Sequence, residues 1–109
     1  MAPPRPGRAV RGSRSGRPIM AALDLLGRRW ALRVLWELRD GAQTFRELRT
    51  RCDELSPTVL NQRLTELREA GIVAHEEGSG YGLAPEGVAL LEAFAPLYEW
   101  AARWGRRRV

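Results

Sequence analysis

Four side chains in the stretch SPTVLNQRLTEL carry the most specific chemistry in this chain. If the stretch is turned as a helix, 100° per residue from Ser56, then Thr58, Asn61, Gln62 and Thr65 fall on one arc. Leu60, Leu64, Leu67 and Ala70 fall on the opposite one. A carboxamide offers a donor and an acceptor side by side, so Asn61 and Gln62 can each make a paired contact with an adenine edge in a major groove. A threonine hydroxyl donates or accepts, and its methyl suits thymine. The free amides that follow Ser56, at the positive end of the helix dipole, suit a phosphate oxygen. Arg46 and Arg49 just upstream, with Arg51 and Arg68, are further phosphate candidates, which would position a duplex without reading it. An ordinary solvated helix face would look similar, so the elements around this stretch must decide.

Other chemistries find little material. One cysteine, Cys52, makes no internal disulfide, and one histidine, His75, assembles no set of metal ligands. No serine or cysteine has a base at a suggestive spacing, Glu76 and Glu77 are strand neighbours that would face opposite ways, and no glycine-rich phosphate loop follows a strand. The expectation is a protein that is not an enzyme and holds no metal or cofactor. No apolar run approaches the roughly 20 residues of a membrane span, and the N-terminus lacks a secretory apolar segment, so a cytoplasmic protein without a membrane partner is expected.

Charge is uneven along the 109 residues. All eighteen basic residues are arginines; five lie in residues 1–17 and four in 103–109, with no acid in either segment. The middle has nine against thirteen acids, a net of −4. Long-range attraction for a polyanion therefore resides in the ends. Residues 1–17, rich in Pro, Gly, Ser and Arg, cannot bury enough surface to offset the entropy of ordering and read as a disordered arm. It is either a nucleic-acid contact or a solubilising tail, with a transit peptide as a further reading.

The elements that must position the polar arc can be read from spacing. Ile19, Met20, Leu23 and Leu26 recur helically and Gly27 stops them; a second helix from near Trp30 through Leu38 to Asp40-Gly41 is apolar over so wide an arc that it must be packed on several sides. Thr44 and Glu47 form a capping box for a third helix over about Phe45–Cys52. After Asp53-Glu54-Leu55, Ser56 is placed as N-cap, Pro57 as first helical residue, and Gly71 as the terminator of the fourth helix, with Leu55 and Leu60 in staple positions. Residues 72–83, interrupted by Gly78-Ser79-Gly80, read as a hairpin, and Pro85 to Gly105 as a last helix with a kink or local adjustment at Pro96. The fold class is mostly α (α+β), a winged helix-turn-helix over 18–109. Its helix-turn-helix is 44–71, its recognition helix 56–70, its wing 72–83 and its C-terminal helix 85–105. Leu91, Phe94, Leu97, Tyr98, Trp100, Ala101 and Trp104 exceed what one small core should consume, so they mark a homodimer interface or, alternatively, cover the monomer core. Two-fold pairing would set two recognition helices one duplex turn apart over a near-palindromic operator.

The runs ALDLLGRRWALRVLWEL at 22–38, FRELR at 45–49, SPTVLNQRLTELREAGIV at 56–73 and YGLAPEGVALL at 81–91 together resemble the HxlR-type family of bacterial winged-helix regulators, over nearly everything after Arg17. The resemblance implies a homodimeric regulator of transcription whose first and last helices form the dimer contact. It also places Thr58, Asn61 and Gln62 at double-stranded DNA, with Ser56 and Pro57 at the start. Three positions depart from the family pattern. Arg17 stands where oxidant-sensing members carry a cysteine, while Cys52 replaces an aliphatic residue and reads as a buried core thiol. The wing tip, Glu76 and Glu77, is acidic where a basic one would suit phosphates. Ala84 takes the place of a better capping residue, at a cost of about 1 kcal/mol. Arg63, beside the apolar arc, reads as structural, pairing with Glu47 or Asp53, with a snorkelled phosphate contact as the alternative. The function expected is a sequence-specific regulator, and the acidic wing keeps open a protein-interaction module that does not bind DNA.

Overall fold

The computed structural model describes Pro6 and residues 17–108. The expected disordered arm, apart from Pro6 and Arg17, lies outside the described residues. The order is α1 (Pro18–Leu26), α2 (Ala31–Glu37), α3 (Phe45–Arg51), α4 (Pro57–Glu69), β1 (Val73–Glu76), β2 (Gly80–Leu83) and α5 (Pro85–Arg108). The strands pair antiparallel in the register Val73 with Leu83 through Glu76 with Gly80.

The local signals act as their chemistry requires. Pro18 opens α1 and Pro57 opens α4, each at a position whose missing amide hydrogen has no intrahelical partner to lose. Glu47 N–H donates to Thr44 Oγ1 at 3.1 Å and Thr44 N–H donates to Glu47 Oε1 at 2.9 Å, closing the capping box. At the other end of α4, Gly71 takes φ +79°, Ile72 N–H donates to the Leu67 carbonyl at 2.9 Å and Gly71 N–H to that of Arg68 at 3.0 Å, a Schellman arrangement.

The core lies where α2, α3 and α4 meet. Val34, Leu35, Leu48, Cys52, Leu60, Leu64 and Leu67 are fully buried there, with Leu55 as the staple to Leu60 and Val73 sealing the edge. Leu90 and Leu91 of α5 pack on the outside of the same cluster. A feature not foreseen from spacing is a third short strand contact: Gln43 and Tyr81 exchange backbone hydrogen bonds of 2.8 and 2.7 Å. Gly80 is required beside it, because a Cβ there would stand 2.2 Å from the Gln43 carbonyl oxygen.

The bounds of three helices differ from the sequence reading. The second starts one residue later, with Trp30 as a left-handed N-cap at φ 75°, and ends at Glu37 with Leu38 as its cap, short of Asp40-Gly41. The third ends at Arg51, Cys52 being its cap. The last helix runs three residues past Gly105, to Arg108, and continues as helix through Pro96. Once a long helix is nucleated, a single glycine near its end costs only about 1 kcal/mol.

Candidate nucleic-acid interface

Helix α4 has 13 residues, a rod of about 20 Å. Its inner face, Leu60, Leu64 and Leu67, is fully buried, and this fixes the rotation of the whole helix. Thr58, Asn61, Gln62 and Thr65 all emerge exposed on the other side. Ser56 caps the helix, its Oγ accepting from Val59 N–H at 3.5 Å, and is itself exposed at the tip.

The arginines divide into two groups. Arg46 and Arg68 are exposed and have no ion-pair partner among the described residues; Arg51 is exposed and close enough to Glu47 to help hold that carboxyl below its usual range. Arg49 is tied inward: its Nε donates to the Leu55 carbonyl at 2.7 Å, and its Nη1 lies 3.7 Å from Glu54. That makes Arg49 first a brace for the turn. The turn needs one, since Asp53 and Glu54 both adopt left-handed backbone, φ 58° and 59°. Arg33 of α2 braces it from the other side, donating to the Arg51 carbonyl at 2.7 Å and to Asp53 at 3.3 Å while Glu37 holds its Nε at 2.8 Å.

Behind the polar arc lies a buried ion network that spacing did not reveal. Glu66, on the inner flank of α4, accepts from Arg28 on one carboxylate oxygen and from Arg63 Nη1 at 2.8 Å on the other. Arg63 Nε donates to the Arg29 carbonyl at 2.7 Å, and Asp24 of α1 reaches Arg28 at 3.4 Å. Arg63 is thus structural, as its wheel position implied, but its partner is Glu66 and neither Glu47 nor Asp53. The left-handed Trp30 turns the chain sharply enough that the α1–α2 link delivers both the Arg28 side chain and the Arg29 carbonyl to α4. The signal in the sequence was faint: Glu66 sits between the apolar and polar arcs, where a solvated and a buried carboxylate look alike.

Cys52 is fully buried, and desolvation pushes its thiol up, away from the reactive thiolate. In the wing, Glu76 ends β1 and Glu77 lies in the turn, so the two are not successive strand residues; both are exposed. Among the described residues no group of side chains could hold a metal ion, and no helix is long and apolar enough to cross a membrane.

A family model for the HxlR-like helix-turn-helix matches residues 25–109. The chain belongs to this family. Among relatives of the HxlR-like chain, the HTH-type transcriptional regulator YvaP of Bacillus subtilis is 32% identical over 89 residues, 76% of this chain and 82% of YvaP. Quinone-bound YodB of B. subtilis superposes with a TM-score of 0.72 at 32% identity, covering 78% of this chain and 96% of YodB. A possible HxlR family transcriptional factor from Thermoplasma volcanium gives a TM-score of 0.72 at 26% identity, covering 82% and 85%. The packing of α2, α3 and α4, the two-stranded wing and these neighbours make the fold a winged helix-turn-helix. This HxlR-like chain is a regulator of the DNA-binding type, and its relatives are transcriptional regulators rather than enzymes.

Proposed function

We propose that this chain regulates transcription as a homodimer that lays α4 into the major groove of a near-palindromic operator. The observation that carries this reading is the exposed arc of Thr58, Asn61, Gln62 and Thr65, fixed in direction by the buried Leu60, Leu64 and Leu67 behind it. Ser56 with the amides of the first turn, Arg46, Arg51 and Arg68 supply phosphate contacts, and the outer nitrogens of Arg49 supply another where the turn leaves them accessible.

Support for a second copy comes from α5 and α1. Leu97, Tyr98, Trp100 and Trp104 are about half exposed, and Ile19 and Leu23 of α1 more so. Ala101 is exposed beside them. A groove of about 490 Å3 between α2 and α5, lined by Leu32, Trp36, Phe94, Leu97 and Tyr98 among others, offers a place for apolar side chains of the second copy. Leu91, by contrast, packs on the chain's own core.

Replacing Asn61 and Gln62 by Ala tests the reading. Each good paired base contact is worth about 1–3 kcal/mol of discrimination, so operator affinity should fall by that order per residue while affinity for random duplex stays nearly constant. Equal losses on both DNAs would remove base reading from this face. The acidic wing favours one rival, a domain that binds a protein instead. For a duplex binder log affinity falls by about 0.9 per phosphate neutralised for each unit of log salt, and a flat response would favour the rival.

A further inference from the structure

A second groove, of about 590 Å3, opens at the C-terminal end of α4, the end far from Ser56. Ala21, Leu25, Ile72 and Leu90 give it an apolar floor, and Glu69 and Glu86 supply the charge. None of the described residues that line it is a cation. Glu69 stands in the last turn of α4, where the negative end of the helix makes a carboxylate unwelcome and a nearby cation doubly favourable. Neither carboxylate has an ion-pair partner among the described residues. One further residue lines the groove, and it comes from the far N-terminus: Pro6, flanked in sequence by Arg5 and Arg8.

The N-terminal segment matches the groove in charge and length. Residues 1–17 carry five arginines and no acid. The link from Pro6 to Pro18 spans at most about 40 Å when extended, ample to reach the end of α4. We propose that the N-terminal arm docks back into this groove, with Pro6 against the apolar floor and the arm's excess positive charge as the counter-charge for Glu69 and Glu86. A docked arm holds its arginines away from phosphate, so a duplex must compete for them. Docking itself requires no DNA; only this competitive consequence rests on the duplex-binding reading.

The test uses the full chain with a spin label on Ala9→Cys, Cys52 being too buried to compete for the label. Without DNA, the amide signals of Ala22, Glu69 and Glu86 should be broadened and should sharpen when Glu69→Gln and Glu86→Gln are introduced together. Signals that are unbroadened, or broadened equally in both proteins, overturn the proposal. So does broadening that appears only when labelled chains are mixed with isotope-enriched unlabelled ones, since the arm would then belong to the second copy. The consequence for DNA is read separately. In the intact chain the double Gln variant should bind random duplex about three- to tenfold tighter, a coupling usual for contacting groups, and in a chain lacking residues 1–16 the same change should do much less. An equal gain in both chains would sink the competition while leaving the base-reading test on Asn61 and Gln62 untouched.

Discussion

The two ends of the helical domain treat their large side chains in opposite ways. In the reading head, α3 and α4, the apolar face is wholly buried, the helix ends are closed by a capping box and a Schellman turn, and the arginines nearest the core are matched by Glu66. In the distal half of α5 the large side chains are left half in solvent. Tyr98 stacks on Trp36 with ring centroids 4.9 Å apart, Arg39 covers Trp36 at 4.1 Å, and Trp100 and Trp104 stack on each other at 5.6 Å. The head is complete within one chain, whereas α5 holds apolar surface that one chain does not cover. A part that must present amides at fixed angles needs a rigid seat. A part that joins two copies, as proposed for α5, would keep its apolar surface until they meet.

The largest expected effect breaks the head. Glu66→Ala removes the carboxylate that Arg28 and Arg63 share, their side chains being only 10% and 15% exposed, and leaves Arg28 with Asp24 and Arg63 with the Arg29 carbonyl. Removing one member of a buried ion network costs about 3–5 kcal/mol, read as a lowered urea midpoint. Replacing the whole network by apolar residues, Asp24→Leu, Arg28→Met, Glu66→Leu and Arg63→Met, should recover most of that loss, because the network costs desolvation as well as giving attraction. If Glu66→Ala is nearly neutral, the head is no more rigid than the tail and the contrast fails.

The next effect is on α5. Trp100→Ala with Trp104→Ala should leave the unfolding midpoint of the separated chains little changed while abolishing its dependence on protein concentration. Buried aromatic anchors at an interface are worth about 2 kcal/mol or more each, so under the proposed homodimer sedimentation should show pairs of the parent chain and monomers of the variant. A double variant that still pairs would move the interface to α1 or to the α2–α5 groove.

Much of this division was legible in the sequence, and the reason is locality. The Thr44 box, the Ser56-Pro57 start, the Gly71 stop and the leucine spacing of α4 are decided within a few residues, so the head's outline and its exposed polar arc followed from the chain alone. What escaped depends on residues far apart. Glu66 meets Arg28 across 38 positions, Gln43 joins Tyr81 across the hairpin, and Arg33 braces a turn 20 residues away. That Arg49 also braces the turn was not legible, because nothing local shows that two left-handed residues bring the Leu55 carbonyl to its Nε. The tail gave the converse difficulty: the pattern of α5 announced surplus apolar surface, yet only packing shows that Leu91 belongs to the core and Trp104 does not.

A smaller effect sharpens the contrast at the junction of the two regions. Ala84 precedes α5 and serves it through the backbone alone: its carbonyl accepts from Gly87 and Val88 at 2.8 and 3.0 Å, and its N–H donates to the Ile72 carbonyl at 2.9 Å. Its methyl side chain has no oxygen with which to cap the first turn. Ala84→Ser should therefore stabilise the chain by about 1 kcal/mol in urea unfolding, since the backbone is already placed for a cap. No gain would mean that the Ile72 and Gly87 contacts fix the chain at an angle a serine cannot use.

The smallest effect lies in the capping box itself and appears only in acid. The hydrogen bond from the Thr44 amide, with the Thr44 side chain and nearby Arg51 assisting, holds the Glu47 carboxyl below its usual range. A carboxylate whose folded value is depressed adds stability above its unfolded value and loses it as pH falls through the folded one. Glu47→Gln keeps a side-chain acceptor for the Thr44 amide but has nothing to titrate. Moving from neutral pH into the carboxylate range should thus cost the parent chain slightly more than the variant, the difference staying small because the group is solvent-exposed and screened. Equal losses would show that α3 is held by its buried face alone, so that even in the head it is packing rather than capping that separates the closed region from α5, whose large side chains stay half in solvent.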